Sequence, residues 1–302
     1  MHSYIPGYIR AGQAGRLKQV IQQALDMLSP CTLCPRQCRV DRTHGETGYC
    51  GAGSQAKVAD FAPHFGEEPP LVGVHGSGTI FFSHCSLRCV FCQNHDISIQ
   101  GDGRTVFPNQ LAAMMIRLQE QGCHNINFVT PTHVVPRILQ ALDIAVDLGL
   151  HIPLVYNSSG YDSPDTLALL DGIIDIYMPD FKFRDNKTAG RFCNATDYPE
   201  TAQAAIRDMH AQVGDLEIGT AGIACSGLLV RHLVMPGHLE DTRRILEFLK
   251  TKVSPGTHVN LMSQYRPMGE AVRFSDLCHP LSAAEFRQAL EMVKASGLTL
   301  VR

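Results

Sequence analysis

The chain has 302 residues and a formal net charge of −3, from 26 Lys and Arg against 29 Asp and Glu. Hydrophobic residues at 44% and charged residues at 18% are typical of a soluble globular protein and exclude a disordered or fibrous one. The balanced charge, the absence of a long apolar run and the N-terminal sequence predict no nucleic-acid partner, no membrane segment and no signal peptide. Eleven cysteines are an odd number. We therefore expect a cytoplasmic protein whose thiols serve metal or redox chemistry rather than a complete disulfide framework.

Residues 1–74 show little periodicity after an amphipathic stretch at 17–28. They are rich in cysteine, glycine and proline, and they end in the sequence Glu-Glu-Pro-Pro at 67–70, which we interpret as a linker or turn. Gly45 and Gly48 permit a turn that would bring together the four thiols of this segment: Cys31, Cys34, Cys38 and Cys50. Four clustered thiols suit a structural zinc ion or a second iron–sulfur cluster, and reduced cysteines that pack as small hydrophobes are the third alternative.

From residue 75 onward, short apolar runs alternate with helical patterns. The predicted strands are 79–83, 125–130, 152–157, 173–178, 228–235 and 258–263. Apolar positions at helical spacing lie between or after them, at 111–118, 138–146, 245–249 and 286–293. These six βα units predict the α/β class, as an open sheet or a partial TIM-type (β/α)6 barrel. We expect a core over 75–302 and, over 1–74, a Cys-rich N-terminal extension with a helix and a metal site.

Three further cysteines follow the first predicted strand, at Cys85, Cys89 and Cys92. This loop leaves the carboxyl end of a parallel strand, where active sites of α/β folds form. Thiolates hold iron–sulfur clusters, and three of them on a cubane leave one iron free to bind a ligand. A zinc site would normally need a fourth ligand nearby. A structural zinc site or a purely structural cysteine knot is the alternative to an iron–sulfur cluster.

The cysteine spacing, with Phe91 just before the last cysteine, resembles the signature of the radical S-adenosylmethionine (SAM) superfamily. The sequence that continues from Cys92, Gln-Asn-His-Asp-Ile-Ser, is similar to the branch of glycyl-radical-enzyme activating enzymes, in particular proteins related to pyruvate formate-lyase activating enzyme. The resemblance implies that Cys85, Cys89 and Cys92 hold a [4Fe–4S] cluster whose open iron chelates SAM. One electron then yields methionine and a 5′-deoxyadenosyl radical, which abstracts hydrogen from the substrate.

The resemblance also implies further cofactor contacts at the ends of the later strands. Where the family often has Gly-Gly-Glu, this chain has a Val-Thr-Pro-Thr-His stretch, so carbonyl groups or two threonine hydroxyls would replace the glutamate. A polar turn follows the third strand, an Asp-x-Lys motif follows the fourth, and an arginine on the fifth would bind the methionine carboxylate. The expected contacts are Phe91, Thr130, Thr132, Asn157, Asp180, Lys182, Arg231 and Gln264. An ordinary turn at Asn157 and an outward-facing Arg231 are the alternatives for those two residues.

Three functions are compatible with the sequence. The first is an activating enzyme that abstracts hydrogen from a protein glycine, with a glycyl radical enzyme as partner and a flavodoxin- or ferredoxin-type electron donor. The second is a radical SAM enzyme that acts on a small molecule or another peptide position, because the motifs at the second and sixth strands depart from the family pattern. The third is an iron–sulfur or metal-binding electron carrier without turnover.

Overall fold

The computed structural model describes residues 4–301, so residues 1–3 and 302 of the two predicted domains lie outside the described residues. The helices are α1 (Gly7–Gln13), α2 (Arg16–Asp26), α3 (Pro69–Val72), α4 (Pro108–Glu120), α5 (Val135–Asp147), α6 (Pro164–Leu170), α7 (Asn186–Cys193), α8 (Tyr198–Val213), α9 (Leu239–Phe248) and α10 (Ala283–Ser296). The strands are β1 (Ala56–His64), β2 (Ser77–Phe82), β3 (Arg104–Val106), β4 (Ile126–Val129), β5 (Leu154–Asn157), β6 (Ile176–Tyr177), β7 (Glu217–Ile218), β8 (Ala224–Leu233), β9 (His258–Met262) and β10 (Thr299–Leu300).

One sheet organises the molecule, with strand order β10-β9-β8-β6-β5-β4-β2-β1-β3. Every neighbouring pair from β2 to β10 along this path is parallel, whereas β1 pairs antiparallel with both β2 and β3. The short β7 pairs antiparallel with β8 and lies off the path. The predicted α/β fold with a mostly parallel open sheet, as in a partial TIM-type barrel, is confirmed.

The six predicted strands correspond to β2, β4, β5, β6, β8 and β9, with shifted bounds. The strand predicted at 173–178 shortens to β6 because the amides of Ile173 and Ile174 both donate to the Leu170 carbonyl and complete the preceding helical turn. Strand β8 begins four residues before the predicted start, where Gly227 with φ 111° interrupts the apolar pattern. Apolar periodicity therefore located these six strands, and local turn chemistry decided their ends.

Strand β1 was not predicted. Ala56 and Val58 are buried, but the later residues of the strand are only partly buried, so the sequence has little alternation to recognise. The strand is held by its pairing with β2, in which Ala62 lies opposite Thr79. It precedes the predicted boundary at residue 74, and its partner strand follows that boundary.

The four stretches with helical patterns at 111–118, 138–146, 245–249 and 286–293 are confirmed as helical. Helices α4, α5 and α10 each end one or two residues before a glycine with positive φ, namely Gly122, Gly149 and Gly297. Within residues 4–301, no helix combines the length and hydrophobicity that crossing a membrane requires.

The N-terminal helices pack on the sheet layer rather than forming a separate core. Leu17 and Val20 of α2 are buried in the same hydrophobic cluster as the barrel residues. The start of α1 is joined to the buried carboxylate of Asp175, which accepts hydrogen bonds from the amides of Gly7 (2.7 Å) and Leu154 (2.8 Å). Side chain and backbone contacts thus tie the beginning of the chain to the start of β5.

Candidate active site

A cavity of about 410 Å³ opens at the carboxyl ends of the parallel strands. The loop after β2 forms one wall, and the thiols of Cys85, Cys89 and Cys92 line it. Two residues of this loop, His84 just before Cys85 and Arg88 just before Cys89, adopt positive φ values of 75° and 57°, which turn the backbone sharply ahead of each cysteine. The three thiols therefore face one space although they are separated along the chain.

Hydrogen-bond donors surround two of these sulfurs. The amide of Leu87 donates to Cys85 Sγ at 3.4 Å, and the hydroxyl of Ser98 donates to Cys92 Sγ at 3.1 Å. Such donors favour a thiolate, which is the form that binds metal. Burial nevertheless raises the pKa of Cys85 to about 12 and raises that of Cys92. Loading with metal would therefore release protons from this loop.

Cys193, the last residue of α7, contacts the same group. Its thiol hydrogen-bonds with Cys89, and this contact together with burial raises the pKa of Cys89 well above the usual value. Among residues 4–301, no three His, Cys, Asp or Glu side chains could hold a single metal ion. A donor set of three thiols around one cavity fits a multi-iron cluster, which separates its thiolates, better than a lone ion.

A network of buried charges lines the same cavity. Asp180 Oδ2 accepts from Lys182 Nζ at 2.6 Å, and Asp180 Oδ1 accepts from Arg231 Nε at 2.9 Å. Arg231 Nη2 also donates to Asn157 Oδ1 at 2.6 Å. Burial alone would raise the pKa of Asp180, but the charges of Arg231 and Lys182 outweigh it and lower that pKa below its ordinary value. The carboxylate is therefore ionised and binds both cations.

Arg231 faces the cavity, since it lines that space together with Asp180 and Asn157. Its Nε and Nη2 atoms are already bonded to those two protein groups, so neither is free for a ligand carboxylate in this arrangement. The resemblance implied an arginine available as a bidentate donor. The structure shows an arginine that holds Asp180 and Asn157 in place.

The two threonines expected as cofactor contacts are separated by the structure. Thr130 lines the cavity, with φ of 60° and its amide bonded to the Asn157 carbonyl at 2.9 Å. Thr132 does not line it: after Pro131 the chain enters a short 3₁₀ turn, and the Thr132 hydroxyl donates to Asp162 Oδ1 at 2.6 Å. That contact turns Thr132 into the buried network of Asp162, away from the cavity.

Phe91 and Gln264 both line the cavity, as expected. The Phe91 ring is buried and meets the rings of Phe183 and Tyr265 edge to face, at centroid distances of 5.9 and 6.4 Å. The carbonyl of Gln264 accepts a hydrogen bond from Gln93 Nε2 at 3.1 Å. This bond joins the segment after β9 to the cysteine loop across the mouth of the site.

Sequence reasoning missed one wall of the cavity entirely. The segment interpreted as a linker contributes Glu67 and Glu68, and β9 contributes Asn260. Asn260 Nδ2 donates to Glu68 Oε1 at 2.7 Å, while Glu68 Oε2 is buried without a hydrogen-bond partner among the described residues. Glu67 Oε2 lies 3.6 Å from Nη1 of Arg231. The sequence signal that could have identified this wall is the pair of adjacent glutamates before Pro-Pro, in a chain with few charged residues.

A second cysteine group lies behind the first. Four thiols line one small cavity together with Arg42 and His133; they belong to Cys31, Cys34, Cys38 and Cys50. The return of Cys50 to the other three, expected from the glycines between them, is present.

Comparison with known proteins gives both close and distant relatives. The family model of the radical SAM superfamily matches residues 79–249. An uncharacterized protein of Methanocaldococcus jannaschii, MJ0674, is 33% identical over 291 residues, which are 93% of this chain and 79% of that protein.

Solved structures are more remote. Streptococcus suis SuiB bound to precursor peptide SuiA aligns with a TM-score of 0.47 and 10% identity, over 72% of this chain and 46% of the SuiB chain. SuiB bound to S-adenosylmethionine aligns with a TM-score of 0.48 and 12% identity, over 72% and 47%. A domain of pyruvate-formate lyase-activating enzyme from Bacteroides vulgatus aligns with a TM-score of 0.37 and 14% identity, over 64% and 89%. This chain therefore spans less than half the length of the SuiB chains.

Proposed function

Because the chain belongs to the radical SAM superfamily, whose members use a [4Fe–4S] cluster and SAM, we propose that both bind in the cavity at the carboxyl ends of the strands. Cys85, Cys89 and Cys92 are the proposed ligands of the cluster. The observation that carries this assignment is that three thiols and a buried network of charges line one cavity. Its volume of about 410 Å³ lies in the range of cofactor sites.

When bound, the cluster supplies the electron that cleaves SAM to methionine and a 5′-deoxyadenosyl radical. The protein's own contribution is to orient the reactants and exclude water. Lys182 and Arg231 are fixed by Asp180 and present a rigid polar wall, and Thr130, Asn157 and Gln264 add hydrogen-bonding groups around it. Phe91, held by its aromatic neighbours, covers the cysteine loop with apolar surface.

Within this class, we propose that hydrogen is abstracted from a glycine of a partner protein, as in activating enzymes. The support is the sequence after Cys92 and the Asp-x-Lys motif, whose Asp180 and Lys182 side chains meet at the cavity wall. A flavodoxin- or ferredoxin-type protein would supply the electron. The SAM-cleaving core would comprise residues 75–302 and the metal-binding extension residues 1–74.

A specific observation favours a second candidate, a small-molecule or other peptide substrate. Glu67 and Glu68 bring carboxylates into the cavity, and Glu68 Oε2 is left without a partner among the described residues. A substrate with an amine or amide N–H would satisfy that oxygen. An electron carrier without turnover would have no use for a cavity of this volume beside its cysteines.

An anaerobic turnover assay tests the enzyme assignment. Reconstituted protein with dithionite and SAM is expected to release 5′-deoxyadenosine, and Cys89→Ala is expected to reduce release to background. Cys278→Ala is the matched control, because Cys278 is exposed and does not line the cavity. Equal release by wild type and Cys89→Ala would refute the ligand assignment, and no release from protein with a full cluster would favour the electron carrier.

The substrate class needs a separate experiment. Incubation with SAM, reductant and a candidate glycyl radical enzyme that co-purifies with this chain is expected to give a glycyl doublet in electron paramagnetic resonance. A doublet that requires Cys89 supports the activating-enzyme function. Consumption of a small amine or peptide without any doublet supports the second candidate.

A further inference from the structure

The N-terminal cysteine group is built as a binding site rather than as loose packing. Two backbone amides donate to its sulfurs: Tyr49 N to Cys38 Sγ at 3.2 Å, and Ala52 N to Cys50 Sγ at 3.4 Å. Gly48 approaches so closely that a Cβ there would lie 2.8 Å from the Cys38 sulfur. Amide donors aimed at sulfur favour thiolates, and thiolates are metal ligands.

A buried guanidinium beside the thiols is the strongest indication that a negatively charged centre binds there. Arg42 is 2% exposed, and its Nη1 lies 3.9 Å from Cys31 Sγ. Its other contacts are neutral carbonyls, of Gly53 and His133, and no carboxylate lies within 4.0 Å of it in the described part of the chain. A buried cation without a counter-charge is strongly unfavourable. Metal-bound thiolates would supply that negative charge.

His133 adds a second unexplained polar group on the same cavity. Its Nε2 donates to the Ser83 carbonyl at 2.8 Å, but its Nδ1 is buried and has no hydrogen-bond partner among residues 4–301. Buried polar atoms in native proteins are usually satisfied by protein, water or a ligand. The cavity bounded by the four cysteines is thus lined by groups suited to a bound centre.

The arrangement distinguishes between the kinds of centre. A tetrahedral zinc ion with Zn–S bonds of about 2.3 Å requires sulfurs only about 3.8 Å apart. As they are placed in the described residues, no three His, Cys, Asp or Glu side chains form a ready site for one ion. A cluster places its own iron and sulfide between the thiolates, so it accepts a wider donor set. We propose that Cys31, Cys34, Cys38 and Cys50 bind a second iron–sulfur cluster, with Arg42 as its buried counter-charge.

This second site contacts the first cysteine loop directly. Arg36 lies over the Tyr49 ring at 4.0 Å, and its Nε donates to the carbonyl of Ser86, next to Cys85, at 2.9 Å. Arg42 and His133 form another connection, which ends at Ser83. Residues around the proposed second cluster therefore contact the loop that carries the proposed first one.

The experiment counts metal in the full chain after the first site has been removed. The Cys85/Cys89/Cys92 triple alanine variant, reconstituted anaerobically, is expected to retain iron and acid-labile sulfide in equal amounts, with the Mössbauer spectrum of a cluster. One zinc without sulfide, or no metal in a folded variant, would overturn the proposal. If the triple variant instead keeps all the iron of the wild type, the result supports the second cluster and refutes the assignment of Cys85, Cys89 and Cys92 as cluster ligands.

Substitution of Arg42 gives an independent test that keeps all four proposed cysteine ligands. In the triple variant, Arg42→Gln is expected to shift the midpoint potential of the remaining cluster to more negative values, because a nearby positive charge favours the reduced form. Arg42→Lys keeps the charge and should keep most of the original midpoint potential. Arg39→Gln removes a charge at an exposed position on the same loop and should leave the midpoint potential unchanged. Identical potentials in Arg42→Gln and Arg39→Gln would refute the role of Arg42.

Discussion

Single side chains in the cavity wall depend on one another more than their spacing in the sequence suggests. Asp180 alone bridges Lys182 and Arg231, and each of these side chains is at most 17% exposed. Two cations therefore share one carboxylate, with Glu67 at a greater distance from Arg231. Removing the shared partner would leave both charges poorly compensated in a medium that solvates them weakly.

For Asp180→Asn, we expect the free energy of unfolding to fall by about 3–5 kcal/mol and SAM binding to weaken, because two buried cations lose their counter-charge. Asp276→Asn is the matched control, since Asp276 pairs with Arg191 at an exposed position. That change should cost at most about 1 kcal/mol. Denaturant unfolding of both variants measures the difference, and equal losses would contradict the interdependence.

The close packing around Gly48 leads to a second prediction for a single residue. Gly48→Ala would force a methyl group to within 2.8 Å of the Cβ and Sγ atoms of Cys38. We expect a loss of about 1–3 kcal/mol in stability and a lower metal content, because the neighbouring backbone must shift. Gly53→Ala has no heavy atom within 4 Å of its added carbon and should behave as wild type. Unchanged iron content in Gly48→Ala would show that the loop tolerates the shift.

At the scale of elements, the sequence predicted six of the parallel strands and helices α2, α4, α5, α9 and α10, because each carries an apolar repeat. It failed for β1, whose stability comes from pairing with β2 rather than from its own pattern. The same failure hid Glu67 and Glu68, since a segment after an unrecognised strand has no predicted position. Thr132 shows the converse, because one turn after Pro131 redirects a side chain that the family resemblance implied to be in the site.

Helix α1 is tied to the sheet by an acidic side chain that is sensitive to pH. Burial raises the pKa of Asp175 to about 6, although hydrogen bonds from Tyr4, Gly7 and Leu154 oppose that shift. Folding therefore favours the protonated carboxyl group relative to the unfolded chain, whose pKa is about 3.9. The corresponding stability is fully present below about pH 4 and is lost as the pH rises through 6.

We expect the difference in unfolding free energy between wild type and Asp175→Asn to change by about 3 kcal/mol between pH 4 and pH 7, with wild type losing the stability as pH rises. Urea unfolding of both proteins across this range measures it. Comparing the two proteins at each pH removes any contribution from acid-labile clusters that they share. A constant difference would mean that Asp175 stays ionised in the folded protein.

At the scale of the whole molecule, residues far apart in sequence meet because parallel strands end at one edge of the sheet. This rule, together with the family resemblance, predicted that the three cysteines, Asn157, Asp180 and Arg231 surround one space. It could not reveal that Glu67 and Glu68, which precede β2, also line this cavity. Nor could it show that the two cysteine loops touch, because Arg36 and Tyr49 have no periodic signature.

The antiparallel pairing of β1 with β2 has a consequence for any attempt to separate the two predicted domains. A chain that began at residue 75 would keep the cysteine loop but lose the strand that covers the outer side of β2. The unpaired amides and carbonyls of β2 would then form an open edge, which is a template for self-association. The N-terminal segment thus covers an edge of the sheet that would otherwise promote aggregation, and it also lines the cavity.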